Sequence, residues 1–388
     1  MNLDRIQRAL DQAHRDGLQP ARTLPAPASP PLRRLAIGDP QAPLETFLRV
    51  LEGHGALGED GRLSSEVQLV SMGDHFDWGR PADREQAIGD GLALLSWLAA
   101  HSPEQVVILL GNHDLSRVCE LSWFPTDQAY LEARARADAL YRGSTVPSEA
   151  QTRAFLEEFP FLSSVEALAR DLSTFSVAQR RLVQRLLEAH RVGLAHAPSP
   201  ELLLVHGAVT TDDLRLMGIA EEQGRQPEVV AHVLNGFLRR VVEAWDGNEP
   251  LDLHPLHQFQ SREGEGRGIL YQRPAHPQRS DPQELSGPPR RRFDPRRLPR
   301  GLTQATGHIR DNKCRALLGE WARDPAPAQE GALRTLRTDG ARVEYAVGVP
   351  TLGPEETGIV FLDGGMNWTA PEHYQLLDLD RRAAATRR

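Results

Sequence analysis

Cysteine is scarce in this chain of 388 residues: Cys119 and Cys314 are the only two. Two unclustered thiols give neither a disulfide framework nor a CxxC zinc site. Lysine is scarcer still, with Lys313 alone among 45 basic residues, which reads as compositional bias and not as chemistry. No apolar run reaches the roughly 18 residues of a bilayer-spanning helix. Residues 1–17 lack the apolar stretch of a secretory signal. A cytoplasmic protein with no membrane partner is the resulting expectation. Basic charge is also short, with 53 acidic residues leaving a net charge of −8. An acidic chain is not a general polyanion binder, so no nucleic-acid partner is expected.

Apolar residues make up 40% of the chain, enough for a substantial core. Leu3, Ile6 and Leu10 share one face of an N-terminal helix. Residues 18–31 hold Pro20, Pro25, Pro27, Pro30 and Pro31 and read as a linker, so 1–31 stands apart from one large domain, 32–380. Within it, strand and helix signals alternate, with helices over 46–51 and 83–100, as in a parallel α/β sheet. Residues 118–195 change character: three helical stretches with no strand signal suggest an inserted helical cap. Residues 273–300 form an Arg- and Pro-rich loop (Pro288-Pro289-Arg290-Arg291-Arg292). Alternating segments at 334–337, 342–347, 359–362 and 374–379 look like strands of a second sheet packed on the first. A short tail, 381–388, follows, and no internal repeat is found.

Five short blocks carry the chemistry. They are Gly38-Asp39-Pro40-Gln41, Gly73-Asp74-His75-Phe76-Asp77, Gly111-Asn112-His113-Asp114, Val205-His206-Gly207 and Thr306-Gly307-His308. Four of them follow apolar, β-branched runs, which places their polar side chains at the C-terminal edges of strands, where open α/β sheets build sites. Each block alone is weak, because a single His after a strand is more often structural. Five in series offer carboxylate, amide and imidazole ligands for two divalent cations. A bridging carboxylate holds such cations about 3.5–4 Å apart around one shared hydroxide.

The order GDxQ, GDxxD, GNHD, an isolated His and GH resembles the calcineurin-like metallophosphoesterases over residues 35–310. Residues 359–366 also resemble the strand that follows the fifth block in bacterial, Shewanella-like phosphatases. The resemblance implies an α/β fold: a two-sheet metallophosphoesterase sandwich flanked by helices, with the cap inserted. It implies Asp39 and Gln41 on the first metal, Asp74 bridging, and Asn112, His206 and His308 on the second. His113 would face the substrate as general acid, with Asp77 hydrogen-bonded behind it. The cofactors implied are two ions of Mn, Fe or Zn. The reaction implied is in-line attack of the metal-bridging hydroxide on phosphorus.

Three departures qualify the match. Gln41 stands where His is usual, which predicts a looser first metal and favours manganese; alternatively Gln41 caps the following helix. The second block reads Asp77-Trp78-Gly79-Arg80, so the Arg that follows the Asp in phosphoprotein phosphatases is displaced. Arg80 reaches the phosphate or Trp78 stacks on a substrate base, the alternatives being a surface Arg80 and a core Trp78. Arg310 occupies the place of a second His in nuclease-like branches, and Arg310 and Arg273 are further phosphate candidates. His75, His54 and His196 match no ligand position. The expected activity is a dimetal phosphomonoesterase acting on a phosphoprotein or a small phosphorylated metabolite. The alternatives are a dinucleoside polyphosphate hydrolase, as the Gln in the first block also occurs in such enzymes, and a catalytically silent phosphate-binding scaffold.

Overall fold

Val, Ile and Leu dominate the runs ahead of the blocks, and they form short buried strands. A computed structural model describes residues 2–18, 23–141, 146–260, 266–280, 291–323, 326–353 and 356–387. The elements begin with α1 (Leu3–Leu18), β1 (Arg33–Ile37), α2 (Leu44–Gly53), β2 (Val67–Ser71), α3 (Arg84–Ala100), β3 (Val106–Leu109) and α4 (Asn112–Leu115). Then come α5 (Asp127–Leu140), α6 (Glu149–Glu158), a π-helical turn (Ala167–Asp171) and α7 (Val177–Glu188). Next are β4 (Val192–Gly193), β5 (Ala195–Ser199), β6 (Leu202–Val205), α8 (Thr211–Leu216) and α9 (Pro227–Ala244). Short strands β7 (His257–Gln258), β8 (Arg267–Gly268), β9 (Arg273–Pro274) and β10 (Arg292–Phe293) lead to β11 (Thr303–Thr306) and α10 (Asp311–Leu318). The chain closes with β12 (Arg334–Thr338), β13 (Val343–Val347), β14 (Thr357–Phe361), β15 (Leu377–Asp378) and β16 (Ala383–Ala384).

Two sheets face each other. The first has the order β16-β15-β1-β2-β3-β4 and the second β13-β12-β14-β11-β6-β5. Strands β1, β2 and β3 run parallel, as do β6, β11 and β14. Period-two alternation decides which side chain enters which layer. Ala36, Val70, Leu204, Ala305 and Val360 meet between the sheets. Leu35, Ile37 and Leu69 point the other way, into the layer packed with α1, α2 and α3. Ile359 and Phe361 turn outward to a third layer with Cys314 and Leu318 of α10. A fourth cluster, around Phe124, Tyr130, Phe155, Leu168 and Phe175, lies within residues 121–175 and has its own aromatic core.

One strand joins a different sheet from the one expected. Residues 374–379 do not extend the second sheet: Leu377–Asp378 pairs antiparallel with β1, Asp378 opposite Leu35. Alternation identifies a strand but not its partner. Here the flank of β1 away from β2 is the edge that accepts it, and Leu377 and Leu379 then fill the layer between the sheets. Pro20 and the Pro288-Pro289-Arg290 stretch lie outside the described residues. Both cysteines are buried and unpaired. Among the described residues, no helix is long and apolar enough to cross a membrane.

The parallel strands bring the first three blocks to one edge, and the turns there are tight. Gly73 has φ 97°, and a Cβ on it would lie 2.4 Å from the backbone nitrogen of Gly111. Gly89 lies in α3 with open space around it. Gly73→Ala should therefore lower unfolding stability by about 2 kcal/mol or more. Gly89→Ala should raise it by about 0.5–1 kcal/mol through helix propensity. Urea denaturation of the two variants checks both signs.

Candidate metal centre

The blocks converge, and a buried carboxylate that the sequence reading left without a role ties two of them together. Asp114, on the first turn of α4, is fully buried. Its Oδ2 accepts the backbone N–H groups of Asp74 (2.9 Å) and Gly111 (2.8 Å). Its Oδ1 accepts the N–H and the ring Nδ1–H of His75, each at 3.0 Å. The Nε2 of His75 meets the Ser71 hydroxyl at 2.8 Å. Burial opposes the charge of Asp114, but His75 and these donors outweigh it and bring its pKa down to about 2. His75 is thus a buttress within the second block.

Asp74 sits between the two loops. Its Oδ1 accepts the His113 backbone N–H at 2.9 Å, and its Oδ2 lies 3.4 Å from His206 Nε2. Asn112 Oδ1 is 3.2 Å from the same nitrogen. His206 donates Nδ1–H to the Met72 carbonyl at 2.8 Å, which leaves Nε2 facing the oxygens. His308 donates Nε2–H to the Tyr271 carbonyl at 3.0 Å, which leaves Nδ1 for a ligand. Ligand atoms of Asp74, His206 and His308 all lie within 4.8 Å of one another. Asp39 joins them at the rear. Its Oδ2 accepts the His308 backbone N–H at 2.9 Å, and its Oδ1 lies 4.0 Å from His206 Nδ1.

This donor set fits divalent metal. Asp39 Oδ1 is buried with no hydrogen-bond partner among the described residues, and a buried carboxylate oxygen needs a cation or a donor. Burial drives the Asp39 pKa well up, and the nearby carboxylate of Asp363 drives it further. Burial pushes His206 down, but Asp74 and Asp39 overcome it and raise its pKa to about 10. A proton there balances the carboxylates in the position a cation would take. His308 is held neutral, chiefly by burial and then by the charges of Arg273, His206 and Lys313. Asp74, Asp77 and His308 are also three of the five described non-glycine residues with positive φ, at 58°, 64° and 63°. Such strain concentrates at functional sites.

Gln41 reaches the second block. Its Nε2 donates to the Phe76 carbonyl at 3.0 Å, so the amide oxygen turns away from that carbonyl. It does not cap the following helix: α2 has Pro43 at its N-cap and no side-chain capping bond. His113 Nδ1–H donates to Asp77 Oδ2 at 2.9 Å. Burial opposes protonation of His113, yet the carboxylates of Asp74 and Asp77 raise its pKa to about 9. Asp77 resists its own burial through Arg117, His113 and Thr174, and its pKa stays low. Arg117 and Thr174 were not singled out from sequence; both are fully buried. A GNHD block carries no pattern that marks an Arg four residues after the His, and Thr174 lies 60 residues beyond it in the chain.

The three candidate arginines separate. Arg273 is buried, and its charge bears directly on His308. Arg310 is exposed at the N-cap of α10 and bears on Asp363. Arg80 is exposed, with its backbone N–H on Asp83. Trp78 is buried, so its ring is not presented for stacking on a base. Glu120, also missed from sequence, is buried and accepts the Tyr271 hydroxyl at 3.1 Å and the Gln260 N–H at 2.9 Å. Tyr271 in turn holds His308.

The calcineurin-like phosphoesterase family profile matches residues 32–248, more than half of the chain and the first four blocks. No curated protein matches the sequence. Among solved structures, a point mutant of a cold-active protein tyrosine phosphatase aligns at 13% identity with a TM-score of 0.28, covering 59% of each chain. Another structure of a cold-active protein tyrosine phosphatase aligns at 13% identity and a TM-score of 0.29, covering 59% of this chain and 58% of that one. The chain thus spans less than two thirds of the length of these structures.

The raised histidine gives a sign for pH dependence. With a folded pKa of about 10 against an ordinary 6.5, His206 favours the metal-free fold below pH 6.5 and loses that contribution as pH climbs to about 10. A cation must displace the same proton. Manganese affinity of chelator-treated protein should therefore rise between pH 7 and 9.5, with close to one proton released from this residue on binding. Calorimetric titration in buffers of different ionisation enthalpy measures the release, and His206→Asn should abolish that share of it.

Proposed function

The chain belongs to the calcineurin-like phosphoesterases, and we propose that it is a two-metal hydrolase of phosphoric monoesters carried by a protein or a small metabolite. One observation carries this reading: the clustered ligand atoms of Asp74, His206 and His308 share the Asp74 carboxylate with the backbone of His113, an imidazole paired to a carboxylate. Asp39 and Gln41 would hold the first metal, Asp74 would lie between the two, and Asn112, His206 and His308 would hold the second. When bound, the two cations supply Lewis acidity and activate water near neutral pH.

The protein's own residues do the rest. His113, with a pKa raised to about 9, carries a proton at neutral pH and delivers it to the leaving oxygen. Asp77 fixes the ring so that Nε2 remains for that transfer. Arg273, buried beside His308, is the favoured guanidinium for an equatorial phosphate oxygen. Arg310 and Arg80 are more exposed and would act on the substrate beyond the phosphate. No serine or cysteine nucleophile is required.

Manganese-loaded protein should hydrolyse p-nitrophenyl phosphate and a phosphopeptide faster than diadenosine tetraphosphate; the reverse order would favour the dinucleoside polyphosphate reading. Asp74→Asn and His206→Ala should lose both metal and turnover. His113→Ala should keep both metals and lose about 10²–10⁴-fold in kcat. Gln41→His should tighten the first metal. Less than one metal per chain in the wild type, with no manganese-stimulated turnover, would point to a silent phosphate-binding scaffold. Elemental analysis and kinetics on one preparation decide these outcomes.

A further inference from the structure

Asp77 uses both of its oxygens, and its partners come from two separate segments, 113–117 and the stretch around Thr174. Oδ2 faces His113 Nδ1 at 2.9 Å and Arg117 Nη2 at 2.8 Å. Oδ1 accepts the Thr174 backbone N–H at 2.8 Å and the Thr174 hydroxyl at 2.7 Å. Arg117 is the hub. It donates to the carbonyls of His113 (3.0 Å) and Thr174 (2.8 Å), and to the hydroxyls of Ser116 (2.6 Å) and Thr174 (3.2 Å). Its guanidinium lies 4.6 Å over the Phe76 ring. Only His113 of this group is partly open, its side chain 18% exposed.

Thr174 belongs to the helical insertion, not to the sheets. It follows the π-helical turn at Ala167–Asp171, a geometry common at functional sites. The insertion sets its position. The Tyr130 hydroxyl donates to the Leu172 carbonyl at 2.8 Å, and Arg134 to the Ser173 carbonyl at 3.3 Å. Arg84 of α3 donates to the Ala169 carbonyl at 2.7 Å and pairs with Asp138 of α5 at 2.5 Å. The carboxylate that aims His113 is therefore aimed in turn by the insertion.

We propose that Thr174 is a positioning residue for His113, so that the helical insertion supplies part of the proton-donating apparatus. This rests on the phosphoesterase reading above. The transfer it serves is simple. As a water-derived oxygen bonds to phosphorus and the bond to the leaving oxygen breaks, the leaving oxygen takes the proton from His113 Nε2 and departs as the alcohol or phenol, with inorganic phosphate as the other product. A ring misaligned through Asp77 slows this transfer without touching the metal ligands. The demand for a proton rises with the basicity of the leaving oxygen. A defect in positioning therefore shows on a poor leaving group and is muted on a good one.

Phenyl phosphate and p-nitrophenyl phosphate share shape and differ in that demand. Thr174→Val keeps the backbone N–H and the volume but removes the hydroxyl donor. Its kcat on phenyl phosphate should fall about tenfold, and on p-nitrophenyl phosphate by less than about threefold. KM and manganese content should be retained, and Thr174→Ser should restore the loss. Equal losses on both esters, or no loss on phenyl phosphate, would overturn the proposal, as would failure of Thr174→Ser to restore. A second readout needs no turnover. The low-field imidazole proton of His113 Nδ1, identified by its disappearance in His113→Ala, should shift in Thr174→Val and return in Thr174→Ser. If the wild type cleaves neither ester, the phosphoesterase reading fails, and an unshifted resonance then separately removes the role given to Thr174.

Discussion

Two loops from neighbouring parallel strands meet at one buried carboxylate, Asp114, and the site depends on that junction. Four donors converge on it, from Asp74, Gly111 and twice from His75. A carboxylate taken fully out of water is stable only when so surrounded, and hydrogen bonds to a charged group contribute about 1.5–3 kcal/mol each. The two loops therefore cannot slide past each other without stranding the charge. Asp74 inherits its position from this staple: its N–H is held by Asp114, while its own Oδ1 holds the His113 N–H. Its unusual φ of 58° persists because both ends of the residue are fixed.

The second sheet supplies what the first cannot. His206 follows β6 and His308 follows β11, adjacent parallel strands. Each ring has one nitrogen committed to a backbone carbonyl, Met72 for His206 and Tyr271 for His308. Those bonds orient the rings and leave the other nitrogen of each for a ligand. The Met72 bond crosses from one sheet to the other. It makes the inter-sheet distance, set by Ala36, Val70, Leu204 and Ala305 packed between the layers, a parameter of the candidate metal site.

Much of this was legible in the chain. Apolar runs ending in Gly plus a polar residue marked the strand edges, and the order of the blocks marked the residues that converge there. What escaped reading has a common physical character. Asp114 and His75 lay inside recognised blocks, but Asp114 works on backbone N–H groups and His75 on Asp114 and Ser71, which no residue pattern advertises. Arg117 and Thr174 act on Asp77 from elements distant in sequence. The segment at 374–379 showed its alternation but not its partner, because pairing depends on which sheet edge is open. Gln41 offered ligation and helix capping in the sequence, and the structure removes capping, since Pro43 holds the N-cap of α2 and the Gln41 amide donates to the Phe76 carbonyl.

The departure in the second block has a structural counterpart. Trp78 is buried beside the metal loop, and the chain turns outward after it, carrying Arg80 to the surface. A positive charge close behind Asp77 is still present, since Arg117 supplies it from within the protein. That charge is fully enclosed and committed to carbonyls, hydroxyls and a carboxylate, so it aligns His113 and is not free to grasp a phosphate. On the proposed reading, anchoring and phosphate binding would fall to different residues, with a guanidinium on the His308 side the better candidate for the second task. Arg273 is buried there, with its charge bearing on that ring. On the reading proposed above, the helical insertion braces His113 through Asp77, while the two sheets hold the candidate metal ligands. On that reading, changes in the insertion would alter which leaving groups are served and leave the candidate ligand set intact.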